Sequence, residues 1–483
     1  MVGTRLNYVI VGGPKRRYSR PHYLKEPGVL STLTQEPQSQ LLNHEADLTH
    51  YFDRFEKKEE MIRVGLESEF LGVCHKDGFA LPYHGETGVH AVLKRLVSEF
   101  HYEALMEGPN IIGLRRGNLY ISLEPGGQIE LSAPPVCSIF EIEAQLQTFL
   151  YELRQASSEL PDVKWLAFGI QPFSTLEQVS WVPKERYAIM AAYMEKHGPL
   201  SHHMMKLTAT NQINLDYLSE ADAMEKLRVA LGITSIVSAM FAHSCFSEGS
   251  PNGWMSKRLE IWNQTDPDRS GLLPAFTQPG KTFRDYMDYV LDIPMLFIVR
   301  RKKWIAVSGL TFRQYIKKGF QNEKATLGDF ELHLSTAFPE VRLKQYIEIR
   351  GADGQEPALI PSVAAFWKGI LYDQEALVRA WELVAFANEN ERLRLHAEVP
   401  KKGLKAKLGD KPILPIAAEL VQIACASLAK QIRCRESRNE CLFVDRIRQK
   451  IINNGKSPAE TLLEAWRGKL GQKRENLIQY LRI

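Results

Sequence analysis

One stretch, residues 121–132 (ISLEPGGQIELS), constrains the fold more than any other. Apolar and polar residues alternate on both sides of Pro125-Gly126-Gly127, a pattern typical of half-buried strands around a turn or bulge. Glu124 and Glu130 share a face if the strands run through the glycines, whereas a tight turn places them on neighbouring strands. Carboxylates beside glycine-rich backbone suit a hard cation or a phosphate group; the alternative is an exposed hairpin that happens to carry two glutamates.

Three further stretches, residues 63–72, 207–216 and 341–353, repeat this pattern of one polar and one apolar strand face. The pattern follows from the period of two with which side chains alternate along a strand. Such strands either carry a solvated polar face or line a cavity with it, while the apolar face packs on helices. With amphipathic helices between them, they predict an α+β fold with an antiparallel sheet. The residues on the polar faces are Glu67, Glu69, Gln212, Glu348 and Arg350.

The composition is that of an ordinary globular protein. Its 61 basic and 57 acidic residues give a formal net charge of +4, too close to balance to indicate a nucleic-acid or membrane partner. The six cysteines show no CxxC spacing, which argues against a disulfide scaffold or structural zinc and favours a reducing compartment. We therefore expect a cytoplasmic protein, although Lys15-Arg16-Arg17 leaves an organelle-targeting segment open.

The chain divides into two regions. Residues 1–34 are interrupted by glycine and proline and form an N-terminal extension of unknown role. Residues 35–483 are predicted to form a single catalytic domain that is helical from about residue 361 onward. We expect a monomer or a weak homodimer.

Two arginines stand where an anion would suit them. Arg186 falls in the first turn of a predicted helix, where the helix dipole disfavours a cation, so an anionic ligand would compensate it. Arg258 and Trp262 lie four residues apart, so on a helix they face the same side and pair a guanidinium with an aromatic wall. The alternatives, a surface arginine and a core tryptophan, remain open.

The polar strand faces together supply a ligand set made only of oxygen atoms. Without cysteine or histidine, such a set selects magnesium, or manganese, over zinc or copper. Packing these charges together is costly unless cations neutralise them. No GxxxxGK[ST] loop and no GxGxxG after a strand occurs, so a nucleotide would be held chiefly through metal ions and arginines. The predicted ligands are Glu67, Glu69, Glu124, Glu130, Gln212 and Glu348.

An ordered series of motifs over residues 35–483 resembles glutamate–cysteine ligase of the plant and proteobacterial type, within the glutamine synthetase-like ligases. The resemblance implies a metal-lined antiparallel sheet as the catalytic fold. The motifs are the hairpin at 122–132, Pro183-Lys-x-Arg-Tyr187, Asn252-Gly253, Arg258-x-x-x-Trp262, Asp266-x-Asp-Arg269 and Glu348-x-Arg-Gly-Ala-Asp353.

The resemblance implies a reaction and a role for each site residue. The reaction is ATP-dependent formation of γ-glutamylcysteine from L-glutamate and L-cysteine through γ-glutamyl phosphate, the first step of glutathione biosynthesis. By matching motifs, the six ligands above would hold magnesium, Arg186, Arg258 and Trp262 would bind glutamate, and Arg350 would contact phosphate as the catalytic residue. Because nothing in the sequence identifies the acceptor pocket, a glutamate ligase with a different amine remains open. A non-catalytic nucleotide-binding regulatory protein is the second alternative.

The chain departs from the plant pattern at two places. It has Glu67-Ser68-Glu69 where plant members show Glu-His-Glu, but the middle side chain should point to the opposite face and leave the metal ligands unchanged. The cysteines of the plant redox switch are not matched; Glu143 occupies one of their places. We therefore expect no disulfide switch.

Overall fold

A nine-stranded sheet, in which every strand pairing is antiparallel, organises the molecule in this computed structural model. The structure describes residues 40–431 and 439–483, so the predicted extension at 1–34 lies outside the described residues. The sheet runs in the order β8-β9-β7-β1-β5-β4-β3-β2, with β6 paired to the far end of β1. Its strands are β1 (Val64–Cys74), β2 (Glu103–Glu107), β3 (Asn110–Arg116), β4 (Leu119–Leu123), β5 (Ile129–Ser132), β6 (Val163–Leu166), β7 (Thr210–Leu215), β8 (Val341–Leu343) and β9 (Ile347–Asp353).

Helices lie between groups of these strands and after the last one, and they bury one face of the sheet, which confirms the predicted α+β class. Helices α1, α2 and α10 pack on the central strands, and the long α5 packs against β8 and β9. The helices are α1 (Val89–Phe100), α2 (Ile139–Ser158), α3 (Glu185–Met194), α4 (Ser201–Leu207), α5 (Glu220–Met240), α6 (Lys257–Asn263), α7 (Phe283–Asp292), α8 (Phe312–Lys318), α9 (Leu327–Leu334), α10 (Ile360–Leu371), α11 (Gln374–Glu382), α12 (Glu389–Lys402), α13 (Ile413–Lys430), α14 (Cys441–Ile447), α15 (Pro458–Arg467) and α16 (Arg474–Leu481).

Short elements complete the described chain. A π-helix spans Arg448–Ile452, and 3-10 helices span Glu45–Leu48, Phe52–Phe55, Glu59–Met61, Pro274–Thr277 and Gly403–Lys405. Four two-stranded ribbons pair Phe246–Ser247 with Ser250–Pro251, Ser270–Gly271 with Phe338–Pro339, Phe297–Arg300 with Lys303–Ala306, and Lys407–Leu408 with Lys411–Pro412.

The two faces of the sheet have opposite character. On the face toward the helices, Phe70, Leu131 and Ile213 are completely buried and belong to the main core. Burying each such side chain contributes roughly 1.5–3 kcal/mol. Ser68 also lies on this face, where its hydroxyl accepts a hydrogen bond from Asn211 Nδ2 at 2.6 Å. The middle residue of the Glu-Ser-Glu motif therefore points away from its two carboxylates, as the sequence predicted.

Helix α13 is long and apolar enough, by composition, to cross a membrane. In this fold it packs against α10 and α14, and Leu420 and Ala424 on it are completely buried. A core helix of a globular domain has these same properties, and the contacts of α13 account for its apolar surface.

One disulfide, Cys425–Cys441, joins α13 to the start of α14, with the two Cα atoms 4.7 Å apart. Among the other described cysteines, Cys74, Cys137 and Cys245 are free thiols. The cysteine spacing did not lead us to expect this cross-link. A single bond between neighbouring helices is nevertheless not a disulfide scaffold, because the large apolar core already holds the fold.

Candidate active site

The outward face of the sheet gathers polar side chains from four adjacent strands. In the register of the sheet, Glu69 of β1 lies opposite Glu130 of β5, and Glu67 lies opposite Gln212 of β7. All four are buried. The strand pairing thus brings together residues up to 145 positions apart in sequence, as the alternation of each strand predicted.

The hairpin between β4 and β5 turns tightly, which resolves the two alternatives left by the sequence. The Gly127 N–H donates to the Glu124 carbonyl at 2.9 Å, and the Glu124 N–H donates to the Gln128 carbonyl at 2.9 Å. Gly127 has a φ of +86°, a left-handed conformation that favours glycine. Glu124 therefore sits at the turn and Glu130 on the following strand, so the two carboxylates lie on neighbouring parts of the hairpin.

A cavity of about 150 Å³ opens over this face of the sheet. Its other walls come from the N-terminal end of α3, from α4, from α6 and from β8. Ten residues were predicted to form the site, and Glu348 is the one that does not line the cavity. The predicted residues that do line it are Glu67, Glu69, Glu124, Glu130, Arg186, Gln212, Arg258, Trp262 and Arg350.

The carboxylates at the base of the cavity repel one another. Burial, reinforced by the charge of Glu124, raises the pKa of Glu69 to about 8. Burial and the neighbouring carboxylates, Glu67 foremost, raise the pKa of Glu130 well above its usual range. Such an arrangement is costly unless cations approach it, and an all-oxygen donor set suits magnesium or manganese.

These carboxylates do not converge on one point. Within residues 40–431 and 439–483, the only group of three metal-ligating side chains with ligand atoms within 4.8 Å of one another is Cys425, Cys441 and Asp445, far along the chain. Two of those three are the disulfide sulfurs. No three of the cavity carboxylates in the described structure are therefore close enough to ligate one ion together, and their role as metal ligands stays a prediction.

Glu348 lies next to the cavity and already has cationic partners. Arg342 donates to both of its carboxylate oxygens, from Nε at 2.6 Å and from Nη2 at 2.9 Å. Lys344 Nζ lies 3.8 Å from Glu348, and Arg350 Nη1 donates to it at 3.2 Å. Although burial opposes the effect, these cations hold the pKa of Glu348 below its usual range. The charge of Glu348 is thus balanced within the protein, and its role as a metal ligand stays a prediction.

Arg186, Arg258 and Trp262 present unused hydrogen-bond donors within the described structure. The Nε of Arg186, the Nε and Nη1 of Arg258 and the Nε1 of Trp262 are buried without a partner. Buried donors in native proteins are almost always satisfied, so these four N–H groups are available to the acceptor oxygens of a ligand or of water in the cavity. Arg258 and Trp262 share a side of α6, with the guanidinium carbon 5.8 Å from the indole centroid, as their spacing predicted.

Arg350 connects the carboxylate end of the cavity to the arginine end. Its Nη1 donates to Gln212 Oε1 and to Glu348 Oε2, and its guanidinium carbon lies 5.3 Å from the Trp262 ring centroid. The pairing of β9 with β7 shifts register between Ile349 and Ala352, so a bulge occurs where Arg350 stands. Bulges re-aim side chains next to active sites, and this one brings Arg350 to the cavity.

The sequence analysis missed four basic or phenolic residues of the site. Arg342 on β8 and Lys344 just after it follow the same period-two alternation as the glutamates do, which was a usable signal. Lys184 and Tyr187 flank Arg186, and both donate to the Leu123 carbonyl, at 2.7 and 2.6 Å. Burial, with the nearby charge of Arg186, lowers the pKa of Lys184 to about 7. These two bonds fix the start of α3, and with it Arg186, against the carboxylate hairpin.

Comparisons with known proteins identify the family to which the chain belongs. The family described as glutamate–cysteine ligase family 2 (GCS2) matches residues 63–478. The chloroplastic glutamate–cysteine ligase of Solanum lycopersicum is 38% identical over 438 residues, covering 90% of this chain and 82% of that protein. Its counterpart from Arabidopsis thaliana is 37% identical with the same coverage.

A solved structure shares the fold at low sequence identity. Glutamate–cysteine ligase from Francisella tularensis, solved in complex with AMP, superposes with a TM-score of 0.54 at 13% identity, covering 86% of this chain and 87% of that one. The family match spans most of the chain, and the plant relatives are similar over nearly all of it. The chain therefore belongs to glutamate–cysteine ligase family 2, the family that its motifs resembled.

Proposed function

We propose that the cavity joins L-glutamate to L-cysteine at the expense of ATP, forming γ-glutamylcysteine. Membership of glutamate–cysteine ligase family 2 makes the chain an ATP-dependent carbon–nitrogen ligase, as predicted. The observation that carries the assignment is that one cavity is lined both by buried N–H groups without a partner in the described structure and by buried carboxylates whose pKa values are raised. A ligand that satisfies both groups has an anionic end and an end that arrives with cations.

Glutamate fits the donor side. Arg186 and Arg258 enter from two different helices, so their free N–H groups can engage a carboxylate from two directions. Trp262 supplies a wall for the aliphatic part of the substrate and an indole N–H beside it. With the α-amino and α-carboxylate end of the substrate held in this way, its γ-carboxylate can extend toward the strand glutamates. Positioning of this kind by itself lowers the barrier to reaction.

The reaction proceeds in two steps. An oxygen of the γ-carboxylate attacks the γ-phosphorus of ATP, and ADP leaves to give γ-glutamyl phosphate. The amine nitrogen of cysteine then attacks the acyl carbon, inorganic phosphate leaves, and the nitrogen releases a proton as the amide forms. Arg350, next to both the carboxylates and Trp262, is the residue that would stabilise charge on the transferred phosphoryl group.

Magnesium fits the carboxylate side of the cavity. The residues that would hold it are Glu67, Glu69, Glu124, Glu130 and Gln212, with Glu348 the sixth predicted ligand. Bound magnesium would supply charge neutralisation for the phosphate groups of ATP. The fit rests on the all-oxygen donor set and on the raised pKa values of the buried carboxylates.

The remaining assignments follow the sequence. We retain residues 35–483 as one catalytic domain that acts as a monomer or weak homodimer, with no nucleic acid or membrane partner. The cytoplasm is the predicted location. The plant relatives are chloroplastic, so an organelle is the alternative, and the location of a fluorescent full-length fusion would decide between the two.

The function is tested by phosphate release from ATP with magnesium, L-glutamate and a panel of amines, with the product identified by mass spectrometry. We expect release that requires glutamate and is fastest with L-cysteine. Preference for another amine would replace the acceptor and leave glutamate activation in place. No glutamate-dependent release with any amine would contradict the proposal.

A further inference from the structure

Asp353 ends β9 and closes the Glu348-x-Arg-Gly-Ala-Asp353 motif, but it is not among the residues that line the cavity. It is almost completely buried, and both of its carboxylate oxygens accept hydrogen bonds. Oδ2 accepts from the His243 N–H at 2.7 Å and from the Ser244 hydroxyl at 2.6 Å, and Oδ1 accepts from the Ser256 hydroxyl at 2.8 Å. A buried carboxylate with three donors is a fixed point in the structure.

Ser244 and Ser256 link Asp353 to the first turn of α6 through hydrogen bonds. The Ser244 hydroxyl oxygen accepts from the Arg258 N–H at 3.0 Å while its hydrogen goes to Asp353. Ser256 is the N-cap of α6, and its hydroxyl oxygen accepts from the Leu259 N–H at 3.1 Å. Two hydrogen-bonded chains therefore run from one carboxylate to the helical turn that carries Arg258.

The Asp353 carboxylate also lies near the charged end of the Arg258 side chain. Arg258 Nη1 lies 4.0 Å from Asp353 Oδ1, and Nη2 donates to the Arg350 carbonyl at 2.8 Å. Nη2 is thus hydrogen-bonded to the backbone and the charge lies near Asp353, while Nε and Nη1 are without hydrogen-bond partners within the described residues. Because the side chain of Arg258 is already ordered, binding a ligand costs little additional side-chain conformational entropy.

Asp353 packs directly against Gly169. A Cβ on Gly169 would come within 2.7 Å of the Asp353 Cβ and 2.8 Å of its Cγ. Asparagine has the same shape as aspartate but only one acceptor oxygen, so at least one of the three donors that now bond to Asp353 would lose its acceptor. Asp353→Asn therefore disturbs the hydrogen-bonded chains with little change in packing.

We propose that Asp353 is a positioning residue that sets Arg258, through Ser244 and Ser256, for the carboxylate of the amino acid substrate. The inference rests on the proposed function, in which Arg258 binds glutamate. It deepens that function by naming what orients the binding group. Removing a residue that orients a metal ligand typically costs ten- to a hundredfold, and on the same scale we expect about a tenfold or larger effect of Asp353 on glutamate binding.

The test separates positioning from general stability. Asp353→Asn and Ser244→Ala are compared with the control Glu440→Gln, which alters another buried carboxylate that caps a helix, at Ile139, and pairs with Lys368 outside the cavity. We expect both test variants to raise the KM for glutamate about tenfold or more, with the KM for ATP changed less than about twofold. The control should leave both KM values unchanged even where its Tm falls. A loss confined to kcat, in step with the Tm, would overturn the inference.

A double-mutant cycle with Arg258→Lys supplies the second measurement. Because Asp353 acts through Arg258, Asp353→Asn should weaken glutamate binding, measured by calorimetry, far less in the Arg258→Lys background than in the wild type. Equal effects in the two backgrounds would overturn the inference. If the wild-type protein binds and turns over glutamate and Asp353→Asn does so equally well, only the inference is refuted. If the wild-type protein neither binds nor turns over glutamate, the proposed function is refuted as well.

Discussion

Replacing Arg342 by methionine should destabilise the protein more than most single changes near the cavity. Arg342 holds both oxygens of Glu348 and also donates to the carbonyls of Ser335 at 3.0 Å and Ala337 at 2.6 Å. The Glu348 side chain is completely buried, so its charge cannot be compensated by water when the arginine is removed. Arg350 at 3.2 Å and Lys344 at 3.8 Å remain as weaker partners.

The size of the effect follows from the burial of this pair. Breaking a buried ion pair by removing one partner costs about 3–5 kcal/mol. An unfolding entropy of about 2.1 cal/mol/K per residue gives about 1 kcal/mol/K for a chain of 483 residues. The expected fall in Tm for Arg342→Met is therefore about 3–5 °C.

The matched control removes both charges. In Arg342→Met/Glu348→Met the buried pair becomes apolar, a change that is often neutral or stabilising, so most of the lost Tm should return. Thermal unfolding is followed by circular dichroism in the presence of a chelator, so that bound cations do not contribute. A Tm for Arg342→Met within about 1 °C of the wild type would refute the reasoning, as would a double variant no more stable than the single one.

Three further predictions concern the site and the disulfide. Glu130→Gln should abolish turnover while the far-ultraviolet circular dichroism stays unchanged, because it removes one charge from the predicted metal-binding set; retained activity would refute that assignment. Arg186→Met should raise the KM for glutamate by about 10- to 150-fold, the equivalent of the 1.5–3 kcal/mol of a charged hydrogen bond; an unchanged KM would exclude Arg186 from the glutamate site. Cys425→Ser should lower the free energy of unfolding by about 3 kcal/mol under oxidising conditions and leave activity unchanged, whereas activity that oxidant and thiol altered reversibly would indicate a disulfide switch.

The sheet and its polar face could be predicted because both depend on a local period. Alternation along β1, β5 and β7 indicates which side chains share a face, and the register confirms Glu69 opposite Glu130 and Glu67 opposite Gln212. Each half-buried strand carries the same alternation of polar and apolar residues, so each can be recognised by itself. The helices between the strands were recognisable from their own period for the same reason.

Features set by long-range contacts were not predictable. The near-helical spacing of apolar residues such as Leu48, Tyr51 and Phe55 predicts one helix over residues 40–60. The structure instead forms three short 3-10 helices in this region, because the Lys57 N–H donates to the Tyr217 carbonyl and the Phe52 carbonyl accepts from the Tyr217 hydroxyl. The strand expected at 207–216 begins only at Thr210, since Leu207 ends α4. Local propensity gives way where tertiary hydrogen bonds satisfy the backbone.

The chemistry of the site was only partly visible in the sequence. The carboxylates follow from strand alternation, whereas the roles of Arg186 and Arg258 came from motif resemblance. The pairing of Glu348 with Arg342 depends on the short hairpin between β8 and β9, whose register no periodicity specifies. The hydrogen bonds of Asp353 join parts of the chain about 100 residues apart, so only the folded structure displays them.

The central claim, that this cavity phosphorylates the glutamate γ-carboxylate, is tested most directly by isotope transfer. Glutamate carrying ¹⁸O at both oxygens of the γ-carboxylate is incubated with ATP, magnesium, L-cysteine and the purified protein, and the released phosphate is analysed by mass spectrometry. An acyl phosphate intermediate transfers one oxygen of the carboxylate to the phosphate, so we predict one ¹⁸O atom in each phosphate released. Phosphate without ¹⁸O, formed together with γ-glutamylcysteine, would contradict the claim.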